Sequence, residues 1–452
     1  MSALFTRNFK KQFPIAVRGE GVWLWDASGK KYLDLAGSAA VNFIGHGIKE
    51  IGEAMAAQAA NLEFVHSSQF VTEAAENLAR QMLEFAGDNF RGGAVYFTCG
   101  GSEAVETALK LARQYQVEIG QPSRYQIVSR RQSYHGSTFG AMAVSGNQKR
   151  RKIYLPMLRE FSQIDTPYCY RCVYGCDSCA QKYADELESL LAKHSQEVAA
   201  FIFEPVSGAT LGAAVPPHGY LQRVAEICRA HGVLLLADEV MTGFGRTGRN
   251  FAVEHWDVTP DILIAGKGIA SGYAPLGAVI AGRRVVEALA NGSGAFTHGF
   301  TYNAHPVAVA AGAAVLHRMQ EEKMIAATNS PSGRVGKAMR ENLQRLCDLP
   351  CVGDVRGIGL LWGVEFVKDK SSKQPFPPQL NFAGKVAERV ASRGVLTYPM
   401  QGCVDGDCGD HLLLAPPAVI TAEEIRWAVD ELAAAIQEAA RQSRASPRWL
   451  VS

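Results

Sequence analysis

Two short apolar runs, each ending in charge, constrain this chain more than any other feature. Residues 233–239 read Val-Leu-Leu-Leu-Ala-Asp-Glu, and residues 261–268 read Asp-Ile-Leu-Ile-Ala-Gly-Lys-Gly. Runs this short and uniformly apolar predict strands buried on both faces, as in a parallel sheet covered by helices. The surrounding pattern repeats the theme. Strands are expected at 94–98, 125–129, 198–203 and 277–281, with helices at 102–118 and 217–231. Such alternation predicts an α/β fold, a mostly parallel sheet of the seven-stranded type with helices on both faces.

The ends of the chain read differently. A hairpin is expected at 22–35 around a turn at 26–30, followed by helices at 48–61 and 72–85. Beyond the helix at 306–322 the pattern stays helical to about 346. It then gives strands at 359–367, 395–398 and 412–415 and helices at 381–393 and 422–440. At 452 residues the chain is too long for one small core. The expected division is 1–60 as an N-terminal segment of a small domain, 61–325 as the large domain and 326–452 as the C-terminal small domain. That makes the smaller domain α+β and builds it from both chain ends. The tail from 441 is expected to fray.

Charge excludes some partners. With 46 basic and 44 acidic residues the net charge is +2, which gives no electrostatic reason to bind nucleic acid or an anionic membrane. No apolar run approaches the roughly 20 residues of a transmembrane helix. The first eleven residues lack the apolar core of a secretory signal, so a cytoplasmic enzyme is expected. The ten cysteines therefore do not suggest a disulfide scaffold. Four of them, Cys169, Cys172, Cys176 and Cys179, form two Cys-x2-Cys knuckles that could hold zinc. Only three residues separate the knuckles, tighter than in usual zinc ribbons, and a cysteine-rich surface loop is the alternative. No metal is assigned.

Ligands of open α/β sheets bind at the C-terminal ends of the strands. Asp238 and Lys267 stand at two such ends. A buried lysine loses solvation, which lowers its pKa and makes the amine nucleophilic. An aspartate on a nearby strand suits a pyridinium nitrogen. The pair is the minimal protein equipment for pyridoxal 5'-phosphate (PLP), with Lys267 as Schiff base and Asp238 on the ring nitrogen. The run Cys99-Gly-Gly-Ser-Glu103 lies between a strand and a helix, where backbone N–H groups could hold a phosphate. A plain helix start capped by Ser102 is the competing reading. Tyr134, in a loop after a strand, could stack on a planar ring or simply pack. The GxGxxG pattern at 243–248 is not followed by a helix and is rejected as a dinucleotide site.

Taken together, the runs 99–113, 134–136, 204–206, 238–248, 267–268 and 298–306 closely resemble class III aminotransferases, including the ω-amino acid and amine:pyruvate transaminases. The match extends from about residue 20 to 440. The resemblance implies PLP fold type I and a ping-pong transfer of an amino group from an amine or ω-amino donor to a keto acid, pyruvate above all. It implies that Lys267 holds PLP as an internal aldimine and shuttles the proton. Asp238 would keep the ring nitrogen protonated. Gly101 and Ser102 would hold the phosphate, Tyr134 and Val240 would cover the two ring faces, and Glu204 would lie beside the ring. Thr301 would complete the phosphate site of a neighbouring subunit, so a homodimer is implied.

Two positions depart from the family pattern: Met241 stands where a glutamine is common, and Gly100 where a hydroxyl is. Leu413 stands about where the ornithine-type branch places a carboxylate-gripping arginine. The loop 401–410 carries Asp405, Asp407 and Asp410 and no basic residue. A donor amine without an adjacent carboxylate is expected, cationic or polyfunctional. Arg246 is left either as a keto-acid anchor or as a structural arginine. A PLP racemase or aminomutase of the same fold stays open at this point, as does a non-catalytic PLP-binding protein.

Overall fold

The structure is a computed structural model, and it describes residues 3–175, 178–329 and 332–445. Its centre is a seven-stranded sheet. In spatial order the strands are Ala94–Thr98, Gly277–Ala281, Ile262–Ala265, Leu234–Asp238, Val198–Phe203, Gln126–Arg130 and Gln163–Ile164. Only Gly277–Ala281 runs against its neighbours; the remaining pairings are parallel.

Both faces of this sheet are covered, which is why its strands could be read as unbroken apolar runs. Phe201, Phe203, Leu235, Ala237, Leu263 and Ala265 point to one side, into the largest core. Ala200, Ile202, Leu234, Leu236, Ile262 and Ile264 point to the other. There they meet Ala104, Val105, Ala108 and Leu111 of the helix Gly101–Glu118. The two-residue period of the strand and the near-four-residue period of the helix thus meet in one layer.

Two four-stranded sheets complete the fold. One joins Ala16–Glu20, Trp23–Asp26 and Lys31–Asp34 to Val395–Leu396, which pairs parallel with Lys31–Asp34. Residues near the two chain ends therefore share a sheet. Asp26 closes the hairpin turn by accepting from Ser28 N at 2.9 Å and Lys30 N at 3.1 Å. The other sheet is antiparallel, in the order Val352–Ile358, Leu361–Phe366, Asp410–Leu414 and Tyr398–Gln401.

The structure differs from expectation in places. The strand expected at 395–398 is two strands in two sheets, divided at Thr397. Ala16–Glu20 and Val352–Ile358 are strands that the apolar pattern does not announce. The final helix runs Ala422–Ala445, so the fraying expected from 441 does not begin there; residues 446–452 lie outside the described residues. Residues 243–248 form turns, as expected of a GxGxxG that is not a dinucleotide site. No described helix is long and apolar enough to cross a membrane.

Candidate active site

Five of the six strands that run in the common direction deliver a functional group to the same edge of the large sheet. Leu234–Asp238 ends in Asp238, and Val198–Phe203 leads into Glu204. Ile262–Ala265 passes through Gly266 to Lys267, and Gln126–Arg130 feeds the loop with Tyr134. Ala94–Thr98 turns at Cys99 and Gly100 into the helix Gly101–Glu118. One cavity at this edge is lined by Gly101, Ser102, Tyr134, Glu204, Asp238, Val240 and Lys267. Of the residues selected from sequence, Thr301 alone is not there; it is exposed elsewhere on the chain.

Lys267 sits in the left-handed backbone region, with φ of 44°. That conformation costs a non-glycine residue about 1–2 kcal/mol and is held by its surroundings. The Lys267 carbonyl accepts from Ser271 N at 2.9 Å. Ser271 Oγ in turn accepts from Phe43 N and Ile44 N, at 2.7 and 3.1 Å. Desolvation lowers the pKa of the Lys267 amine to about 8. The Asp238 and Glu204 carboxylates oppose that shift, and the Arg246 and Arg150 charges add to it.

Asp238 is held on both oxygens. Oδ2 accepts from His135 Nδ1 at 2.7 Å, and Oδ1 accepts from Val240 N at 3.1 Å. An ionised carboxylate only accepts, so His135 Nδ1 carries the proton. His135 is buried and lines the cavity, and its Nε2 has no partner. Sequence reasoning missed this residue. The available signal was its place beside Tyr134 in a loop at the end of a strand, a run read only for its aromatic ring.

Glu204 is buried; Oε2 accepts from Tyr134 N at 3.2 Å and Oε1 from Gly208 N at 3.1 Å. Burial pushes its carboxyl above the usual range, against the pull of His135. It therefore positions the Tyr134 loop as well as lining the cavity. Met241, the departure noted above, also lines the cavity, and its sulfur would lie 2.6 Å from a Cβ placed on Gly208.

Ser102 does not cap the helix, contrary to the competing reading. The helix begins at Gly101 with Gly100 before it, and no side chain caps it. Ser102 Oγ instead accepts from Ser137 N at 3.0 Å. A Cβ on Gly101 would stand 2.8 Å from Val240 Cγ1, so glycine lets the helix start close against Val240. Gly136, with φ of 144°, brings the Tyr134 loop down on Ser102, where a Cβ would meet Oγ at 2.6 Å. The result is an uncapped N-terminus of an 18-residue helix at one end of the cavity, with the positive end of its dipole facing in.

The family profile of aminotransferase class-III matches residues 5–436. The chain belongs to the class III aminotransferases. It is 37% identical over 445 residues to an uncharacterised aminotransferase of Bacillus subtilis, covering 97% of this chain and 98% of that one. A transaminase from the marine bacterium Virgibacillus superposes with a TM-score of 0.90 at 33% identity, covering 97% and 98% of the two chains. An amine transaminase from an uncultivated Pseudomonas, described in its PLP-bound, internal-aldimine form, gives 0.89 at 34% identity and 97% of each chain. Fold type I, PLP dependence and transamination between an amine donor and a keto acid follow from membership of this family.

As an aminotransferase site the cavity fits PLP on its own chemistry. It offers a desolvated amine, a carboxylate fixed by a histidine, and an uncapped helix start for a phosphate. Several substrate expectations change. Arg246 is fully buried and donates to the carbonyls of Ala415, Pro416 and Asn42 at 2.6–2.8 Å, so it is a structural arginine. Leu413 is core, opposite Gly363 and Tyr398 in its sheet. The acidic loop is not part of this cavity. Asp410 accepts from Ala383 N, and Asp405 accepts from the backbone of Asp407 and Cys408.

Cys169 is exposed, Cys172 partly buried and Cys179 buried at the start of the helix Cys179–His194; Cys176 lies outside the described residues. Among the described residues no group of three or more ligands is placed to hold a metal.

Proposed function

We propose that Lys267 and Asp238 are the catalytic residues of an amine:pyruvate-type aminotransferase, working by ping-pong half-reactions. PLP, when bound, supplies an electrophilic carbon and an electron sink. Lys267 would hold that carbon through its neutral amine, and the same amine would carry the proton of the donor carbon. Asp238, oriented by His135, keeps a proton on the ring nitrogen. Gly101 and Ser102 bind the phosphate, Tyr134 and Val240 bracket the ring, and Glu204 holds the Tyr134 loop. The observation that carries this reading is the meeting of Lys267 and Asp238 in one cavity with an uncapped helix start.

The donor is an amine without an adjacent carboxylate, and pyruvate is the acceptor. The core position of Leu413 and the engaged guanidinium of Arg246 support this. The working unit is a homodimer in which Thr301 of one subunit reaches the phosphate site of the other. Thr301 is exposed beside Tyr302, and Phe70 and Val71 are exposed too, at 64% and 78%, which suits an interface. The division into 1–60 with 326–452 as small domain and 61–325 as large domain is supported by the sheet that joins Lys31–Asp34 to Val395–Leu396. We place the enzyme in the cytoplasm, on a cysteine pattern that does not suggest a disulfide scaffold.

A single-turnover experiment tests the reading. The yellow holoenzyme is mixed with a panel of amines and no keto acid. One equivalent of carbonyl product per site, loss of the yellow absorbance and its return on adding pyruvate are expected. Racemised or rearranged amine without carbonyl release would instead establish an isomerase. Ornithine or another α-amino acid outperforming simple amines would overturn the donor assignment.

A further inference from the structure

A second cavity, of about 330 Å³, lies between the segment 165–174 and the loop 403–405. The segment follows the outermost strand of the large sheet, Gln163–Ile164, and the loop follows Tyr398–Gln401. This cavity shares no lining residue with that of Lys267. Much of its wall is already matched. Arg131 donates to Asp165 and Glu186, and Arg171 donates to Glu365. The ring of Tyr168 carries the Arg356 guanidinium 4.8 Å from its centroid.

Two features of the wall are unmatched. Asp405 accepts from Asp407 N at 2.9 Å and Cys408 N at 2.7 Å, and among the described residues no cation lies within ion-pair distance of it. Burial opposes its charge, but the backbone N–H groups of Cys408 and Asp407 outweigh that and hold the carboxyl below its ordinary range. Tyr174 and Tyr183 meet edge to face with centroids 5.2 Å apart, and among the described residues no cation sits on either ring. The backbone fixes Tyr174 in place: its N–H donates to Cys172 Sγ at 3.4 Å, and its carbonyl accepts from Ser178 Oγ at 2.9 Å. Leu211 and Val404 add an apolar stretch of wall.

Free aromatic faces and an ionised carboxylate share one complement, a cation. An anion would find both arginines engaged. A bare divalent ion would have no use for the rings and would need more oxygen ligands than one aspartate gives. The apolar wall asks for an alkyl chain. We propose that this cavity is a second binding site, for a small aliphatic ammonium ion, with its charge against Tyr174, Tyr183 and Asp405 and its chain on Leu211 and Val404. An amine held here is not converted, because Lys267 lines the other cavity. It instead bridges the segment 165–174 and the loop 403–405.

The test separates this cavity from the catalytic one. Borohydride reduction of the holoenzyme fixes the PLP carbon to Lys267 as a secondary amine that no added amine displaces. Binding of butylamine, protonated at neutral pH, is then read by calorimetry, with butan-1-ol as its uncharged isostere. Butylamine should bind about ten-fold or more tighter than the alcohol. Asp405→Asn keeps an oxygen for the two N–H groups and removes the charge, and should weaken butylamine about five-fold or more. Tyr174→Leu should weaken it about two- to five-fold. Both unreduced variants should convert the donor amine at the wild-type rate. No binding at millimolar butylamine, equal binding of butan-1-ol, or an affinity that neither substitution changes overturns the assignment. So does a loss of turnover in either variant, which would tie its residue to the catalytic cavity. Failure of the transamination reading would appear in the amine panel and would leave these affinities untouched.

Discussion

Two regions of this molecule bury carboxylates among cations, and they are wired in opposite ways. At Lys267 the groups converge on a cavity and leave atoms open: the lysine amine, and His135 Nε2. At Glu365, on the strand Leu361–Phe366, the carboxylate is fully buried and saturated. Arg171 reaches Oε1 through Nε and Nη2 at 2.9 and 2.6 Å, Arg356 reaches Oε2 at 2.8 Å, and Tyr168 donates to Oε2 as well. Arg356 also pairs with Asp354 at 2.9 Å. Burial and charge alone do not distinguish a reactive site from a structural clasp. Unmet hydrogen-bonding capacity facing a cavity does.

The sharpest way to break this comparison is to remove the reactive amine. Lys267→Ala should lower turnover by about 10³-fold or more, because nucleophile and proton carrier go together. Its unfolding midpoint in urea should move little, since the amine makes no hydrogen bond that the fold depends on. A Lys267→Ala enzyme within ten-fold of wild type would remove this lysine from the chemistry.

Glu365→Ala should do the reverse. Truncating it leaves the guanidiniums of Arg171 and Arg356 without their shared anion, a loss of about 3–5 kcal/mol for a buried pair. The urea midpoint should fall accordingly, while enzyme assayed well below its transition keeps its turnover. If turnover falls and the midpoint does not, the Glu365 cluster is functional and the distinction drawn above fails.

His135 sits between the two cases, buried like a structural group and unsatisfied like a functional one. His135→Phe keeps a ring in place and removes the donor to Asp238 Oδ2. A loss of about 10- to 100-fold in kcat is expected from one charge-assisted hydrogen bond, with little change in KM for the amine. An equal loss of thermal stability and no loss of kcat would make His135 a packing residue.

The same contrast explains what the sequence disclosed. The strands of the large sheet were legible because both faces are apolar, and five of them fall within a residue of their expected bounds. Val352–Ile358 was not legible: Asp354 and Arg356 interrupt it, and they are polar because they serve the clasp around Glu365. The break at Thr397 was hidden because each short strand finds its partner in a different sheet, far away in sequence. Within the site, Lys267, Asp238, Tyr134 and Glu204 could be found from their places at strand ends. His135 could not, because it acts through Asp238, a neighbour that only the folded chain supplies. Arg246 stayed undecided for the same reason: its three carbonyl partners come from residues 42, 415 and 416.

The smallest effect is a pH dependence, and it probes desolvation directly. Burial lowers Lys267 to about 8, whereas an exposed lysine stays near 10.4. The amine must be neutral to capture PLP, so the capture rate of the apoenzyme should follow the neutral fraction. That fraction is one half at pH 8 and about one in eleven at pH 7, a fall of about five-fold. Above about pH 9 the rate should level off, because the amine is already neutral. An exposed lysine would show no plateau there and would climb through pH 10. Stopped-flow absorbance of PLP mixed with apoenzyme reads the difference. A rate still rising steeply between pH 9 and 10 would mean that the cavity does not desolvate Lys267. The contrast with Glu365, whose oxygens are hydrogen-bonded by Arg171 and Arg356, would then have to rest on geometry alone.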